Sequence, residues 1–136
     1  MQRRSLLAAS GKGLGQEVFT SSGSFFVPVG VTKINAVCVG AGGGGGSDYQ
    51  ITFSEGGAGA GGGALAYSNE IPVAPGEILT ITVGSGGAGG VSESAGNTGG
   101  SSSIKRSAAT LVEAVGGVGG SFVGGQGAGG SSAACT

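Results

Sequence analysis

Val39–Gly46 reads VGAGGGGG and directly follows KINAVCV, Lys33–Val39. The first segment alternates like a β-strand, and five consecutive glycines end the second. Glycine loses more conformational freedom on folding than any other residue, roughly 0.5–1 kcal/mol relative to alanine in a regular element. A folded chain that sets glycines in runs needs a compensating reason. The runs recur at 40–46, 56–63, 84–90, 96–100, 116–120 and 124–130, mostly behind a strand-like block.

Glycine supplies 35 of 136 residues and proline 3, a proportion that usually accompanies low complexity or disorder. Two features oppose disorder. Only 10% of residues are charged and the net charge is −1, whereas disordered chains are polar and highly charged. The apolar residues also gather into strand-like blocks. Residues 16–29, QEVFTSSGSFFVPV, read as two short strands about a turn at Ser21–Gly23, with Val18 and Thr20, then Phe25, Val27 and Val29, in alternation. Pro28–Val31 ends the second strand, because proline cannot donate to a ladder. In 33–39, Ile34, Ala36 and Cys38 face one way and Asn35, Val37 and Val39 the other. Both faces are largely apolar, so a central strand is expected. Residues 64–73 form a strand with Leu65, Tyr67 and Ile71 inward, and Pro75-Gly76-Glu77 makes a tight turn. EILTITV, 77–83, and TLVEAV, 110–115, are the remaining strands, with SSSIK, 101–105, pairing before the last.

Several blocks carry glycine in phase at three: Gly40, Gly43 and Gly46; Gly56, Gly59 and Gly62; Gly84, Gly87 and Gly90; Gly124, Gly127 and Gly130. A period of three fits the polyproline II helix, which has 3 residues per turn and about 3.1 Å rise. That helix makes no internal hydrogen bonds, so a buried one must bond laterally. Only glycine lets neighbouring extended helices approach closely enough. The fold class expected is therefore all-β: a small antiparallel β-sandwich-like domain whose glycine blocks, Gly43, Gly46, Gly59, Gly62 and Gly87 among them, pack as polyglycine II helices. Each block of seven or eight residues would span about 22–25 Å. The competing reading keeps the sandwich and makes the glycine blocks flexible loops.

Charge and motifs narrow the function. Arg3, Arg4, Lys12, Lys33, Lys105 and Arg106 are scattered and form no basic face for nucleic acid. No run approaches the roughly 20 apolar residues that span a bilayer. MQRRSLLAASG carries a twin arginine, but its apolar part is about four residues against the 7–15 of a signal h-region, so residues 1–15 read as an attachment segment ahead of a glycine-rich β domain at 16–136. No histidine is present to serve a serine or cysteine nucleophile, and no Cys, His and carboxylate cluster has metal-ligand spacing. Gly40-Ala41-Gly42 follows a strand as a dinucleotide loop does, yet GGSDYQ behind it makes no helix. No enzyme, cofactor or metal is expected. Cys38 reads as a small core residue, and a Cys38–Cys135 disulfide stays open.

The inserts between blocks are the binding candidates. Ser47–Glu55, SDYQITFSE, holds Asp48, Tyr49, Gln50, Thr52, Phe53 and Glu55, with two of the chain's seven aromatics. Aromatics beside adaptable polar groups are what recognition loops use. Val91–Ala95, with Ser92 and Glu93, and Ser121–Val123, with Phe122, are shorter. The alternative is that Ile51 and Phe53 pack on the sandwich as a hairpin.

Residues 19–46, FTSSGSFFVPVGVTKINAVCVGAGGGGG, resemble the opening of the glycine-rich domain of bacteriophage tail-fibre and adhesin proteins. Gly56–Gly63 followed by EIPVAPGEILTITVGSGGAGG, 70–90, extends the resemblance, which covers roughly 16–130. It implies a virion protein at the tail, in fibre, tip or baseplate, with other tail proteins and a bacterial surface receptor as partners and the three inserts as contact loops. It also implies a homo-oligomer, a trimer being one form. The C-terminal GAGGSSAACT departs from the pattern, since the family often closes with a hydrophobic strand; either the sandwich is incomplete or a neighbouring copy or partner adds the missing strand. A purely structural virion protein, such as a baseplate or capsid decoration, and a glycine-rich cell-surface protein are the alternatives.

Overall fold

The computed structural model describes residues 15–47, 57–122 and 132–133. The described residues form strands and extended segments, with no helix. Strands β1 (Gly23–Phe26), β4 (Ile78–Thr82), β5 (Ser102–Arg106), β6 (Ala109–Ala114) and β7 (Ser132–Ala133) make one antiparallel sheet in the order β1-β4-β5-β6-β7. β2 (Lys33–Val39) and β3 (Leu65–Pro72) pair antiparallel as a second sheet. This is the β-sandwich-like domain the alternation predicts. Its core is small: Val27, Ala36, Cys38, Ala64, Ala66, Ile71, Val73, Leu79, Val112 and Ala114 are buried together, and Leu79 and Val112 are the largest fully buried side chains.

Four sequence expectations need correcting. Residues 15–22 form no strand, so 16–29 contributes β1 alone. β2 is not central: it lies in a two-stranded sheet, with Ala36 and Cys38 inward and Val37 and Val39 exposed. Leu65 and Tyr67 also point outward although Ile71 points inward. The register of β2 against β3 shifts between Ile34 and Ala36, and Glu70 adopts φ 56° opposite the shift. A bulge inserts one residue and reverses the inward parity beyond it, so Leu65, Tyr67 and Ile71 do not share a face. Finally, the chain supplies its own closing strand: β7 is two residues long and pairs with Glu113 and Ala114.

The glycine blocks are ordered. Strut 1 (40–47), strut 2 (57–64), strut 3 (84–90), strut 4 (94–101) and strut 5 (115–121) are extended segments that continue or lead into strands. β2 runs into strut 1, strut 2 into β3, β4 toward strut 3, strut 4 into β5, and β6 into strut 5. Sixteen backbone hydrogen bonds link the struts laterally, and none lies within a strut. The amides of Gly40, Gly43 and Gly46 donate to Ala64, Gly61 and Ala58 of strut 2; those of Ala41, Gly44 and Ser47 donate to Gly100, Asn97 and Ser94 of strut 4. Carbonyls of strut 1 accept from struts 3 and 5: Gly42 and Gly45 from Gly87 and Gly90, Ala41 and Gly44 from Gly117 and Gly120. Every series advances by three. This is packed polyglycine II geometry, with strut 1 at its centre and struts 2, 5, 4 and 3 around it, each bonded to the next.

Close approach explains the glycines at most of these positions. A Cβ on Gly44 would lie 2.0 Å from the Ala88 carbonyl oxygen, on Gly46 2.0 Å from that of Ser121, on Gly43 2.4 Å from that of Val118, and on Gly87 2.0 Å from that of Asn97. No side chain fits such a gap. Strut 2 is shifted in phase: Gly57 and Gly63 face strut 1 at 2.0 and 1.9 Å, while Gly59 and Gly62 meet nothing within 4 Å. Gly56 and the block at 124–130 lie outside the described residues, as do residues 1–14 and Cys135. Positive φ serves elsewhere: Gly76 at 81° in the Pro75-Gly76-Glu77 turn and Gly30 at 85° after β1.

Below the slab, the sandwich is tied by one charged cluster. The Arg106 Nε donates to Glu77 Oε1, its Nη2 donates to the Pro72 carbonyl at 2.5 Å, and the Ala74 amide donates to Glu77 Oε2 at 3.0 Å. Glu77 is only 17% exposed in its side chain, which distinguishes this pair from the solvated Lys33–Glu70 pair. The hydrogen bond from Arg106, reinforced by the Ala74 amide, holds the Glu77 carboxyl below the ordinary glutamate range.

Three outcomes test this architecture. Gly44→Ala forces a methyl into a carbonyl and should cost about 2 kcal/mol or more in denaturant unfolding, whereas Gly62→Ala in dilute protein should be neutral or stabilising by up to ~1 kcal/mol. In hydrogen exchange, the Gly43, Gly44, Gly99 and Gly117 amides should be protected, and rapid exchange of all four would refute the lattice. A carboxyl whose pKa is depressed in the folded state contributes stability that is complete above its unfolded pKa and is lost as pH falls through the folded value. Glu77→Gln should therefore destabilise at neutral pH, with the difference from wild type shrinking as unfolding is measured further into the acid range.

Candidate functional site

The struts carry the chain away from the sandwich and bring its turns to one end. Ser47, at the far end of strut 1, donates its amide to Ser94 at the start of strut 4. The Gly90 amide donates to Gly45, and that of Gly120 to Gly44. Gly57, which opens strut 2, lies against the carbonyl of Gly46. Ser47, the turn at 91–94 and the segment at 121–122 therefore lie side by side at the end of the slab opposite the strands. Tips gathered at one end are what a stack of antiparallel and parallel struts must produce: struts 1, 3 and 5 run outward and struts 2 and 4 return.

Each tip has its own local reason. The 91–94 turn reverses the chain between struts 3 and 4 in two residues, Ser92 at φ 48° and Glu93 at φ 61°. Non-glycine residues adopt that region at a cost of order 1 kcal/mol. Ser94 secures the turn: its Oγ accepts from the Val91 amide at 2.9 Å and donates to the Val91 carbonyl at 2.5 Å. Both Ser92 and Glu93 are exposed, and Val91 beside them is 75% exposed. Phe122 leaves strut 5 with its ring 48% exposed. The Ser47 Oγ is buried without a hydrogen-bond partner among the described residues.

The candidates thus divide. Ser92, Glu93 and Phe122 are placed at the tip and exposed. Asp48, Tyr49, Gln50, Thr52, Phe53 and Glu55 lie outside the described residues, between Ser47 and Gly57, whose positions at the tip are fixed. Ser47 and Val91, which fall within the named inserts though not among the singled-out contact residues, are tip residues as well. Their signal was positional: each abuts the end of a glycine block. No group of three His, Cys, Asp or Glu side chains is gathered among the described residues, and no helix there is long and apolar enough to cross a membrane.

Comparison with curated proteins and with solved structures finds no match. A family model described as a glycine-rich domain matches residues 20–136, which include every described strand and strut. The slab of glycine struts on a small sandwich is thus the architecture of a chain that belongs to this glycine-rich domain family.

Proposed function

We propose that the chain is a bacteriophage virion protein of the tail, in fibre, tip or baseplate, and that it contributes to host-receptor binding. The observation that carries this reading is that Ser47, the turn at 91–94 and Ser121–Phe122 meet at one end of a hydrogen-bonded slab. Recognition segments are commonly loops on a rigid scaffold, and a lattice bonded in four directions about strut 1 is a stiff one. The exposed Phe122, Val91 and Glu93 supply amphipathic contact at that end. Residues 48–55, which follow Ser47 in the sequence, carry the aromatic and polar groups of the proposed contact, with Tyr49 and Phe53 as its anchors. Residues 1–15 attach the domain to other tail proteins. The phage assignment rests on the resemblance of 19–46 and 70–90 to tail-fibre and adhesin domains. A purely structural virion role is the second reading, favoured by the uncharged outer faces of struts 1 to 3.

Adsorption of particles to host cells separates the two. Tyr49→Ala with Phe53→Ala, and Phe122→Ala separately, should each reduce adsorption about tenfold or more while particle yield stays normal. Unchanged adsorption with normal incorporation of the variant protein would assign the chain a structural role.

A further inference from the structure

The lattice explains glycine wherever a neighbouring carbonyl stands within about 3 Å of the missing Cβ, but it leaves six glycines unexplained. Gly42, Gly45, Gly59, Gly62, Gly86 and Gly89 are all exposed, none has a positive φ, and among the described residues a Cβ on any of them would meet nothing closer than 3.6 Å. Struts 4 and 5 provide the internal control. Their outward positions carry Ala95, Thr98 and Val118, all exposed. Strut 3 likewise exposes Ser85 and Ala88, so side chains are accepted on the outer side of struts 3 to 5, while the six glycine positions stay bare.

The bare positions of struts 1 and 3 adjoin, and those of strut 2 stand in step with the exposed Leu65. Among the described residues, strut 1 is covered by struts 2, 5, 4 and 3 and is open on its remaining side. Gly42 and Gly45 look out there, beside the Gly61 and Ala58 carbonyls of strut 2 at 3.9 and 3.6 Å, and Gly89 of strut 3 borders the Gly45 carbonyl at 3.7 Å. The amides of Gly42 and Gly45 make no hydrogen bond among the described residues.

The face continues onto the sandwich. The outward stripe runs in steps of three from Val39 to Gly42 and Gly45, and from Gly59 and Gly62 to Leu65. On β2 and β3 it becomes a cross-strand ladder, Val39 opposite Leu65 and Val37 opposite Tyr67. These four are 61%, 61%, 64% and 68% exposed, respectively, which makes them the opposite of a core. No Asp, Glu, Lys or Arg occurs in 36–46, 57–68 or 84–91.

We propose that this face is covered by the same face of a second copy of the chain, about a two-fold axis parallel to the struts. Glycine backbone then lies on glycine backbone, and the Val37, Val39, Leu65 and Tyr67 ladder lies on its counterpart. Three observations select that occupant. A bare polyglycine surface lets a partner's backbone approach closely, and this chain itself carries such a surface. The face bears no charge to repel its own image. The four ladder residues are each more than 60% exposed and adjoin the bare glycine backbone, which supplies apolar surface toward the roughly 1,000 Å² at which an interface becomes specific. The proposal stands apart from the virion reading, since it uses no residue of the tip.

Sedimentation velocity on the full chain over a concentration series tests it. The wild type should pass from monomer to dimer, with exchange of the Gly42 and Gly45 amides slowing in step. Gly59→Gln with Gly62→Gln adds side chains into open space, so folding is preserved; dimer dissociation should weaken about tenfold or more while dilute-solution melting is unchanged. Tyr67→Ser with Val37→Ser should weaken association likewise. A wild type that stays monomeric at all concentrations, that forms a trimer, or whose dimer is indifferent to both double variants overturns the proposal.

Discussion

Everything in this structure depends on how near one main chain comes to another. A lateral amide-to-carbonyl bond between extended helices sets their separation, and at that separation a β-carbon would fall about 2 Å from a carbonyl oxygen at Gly44, Gly46 or Gly87. The geometry is intolerant of side chains on the facing sides. In return it satisfies backbone polar groups that an extended helix cannot satisfy internally. Each glycine costs about 0.5–1 kcal/mol relative to alanine, and each lateral bond contributes a net of about 1 kcal/mol. The two are of the same size, so the slab stands only if nearly every facing position is glycine and nearly every bond is made. The sandwich supplies the starting register. Because β2 pairs with β3, and β5 with β4 and β6, struts that continue these strands are already aligned when they leave the sheets.

Much of this was legible in the residues. KINAVCV and EILTITV gave their strands through alternation, PGE gave its turn, and the spacing of Gly40, Gly43 and Gly46 disclosed the three-residue repeat. What stayed hidden required knowing which neighbour each residue meets. In strut 2 the in-phase series Gly59 and Gly62 suggested contact positions, yet the facing series is Gly57 and Gly63. A glycine carries no mark of the side on which it is needed, and a block in which most residues are glycine fits every phase. Leu65 and Tyr67 failed for a related reason. Apolar alternation told which residues share a face, but the bulge opposite Glu70 reversed that face before Ile71.

At the tip, composition flagged residue types and topology supplied positions. Nothing in VSESA states that it lies beside Ser47, whereas the bond from Ser47 to Ser94 does. An end of the slab assembled from three distant segments becomes visible only when the struts that separate them are counted and oriented.

The way the slab coheres also bears on its response to temperature. Unfolding raises heat capacity mainly by wetting apolar surface, and wetting of polar surface lowers it. The slab's interior is backbone amide and carbonyl, and its contribution to that change is correspondingly small. A domain in which so much of the order is of this kind has a shallow stability curve, retaining its fold in the cold, where proteins held by oily cores lose their driving force.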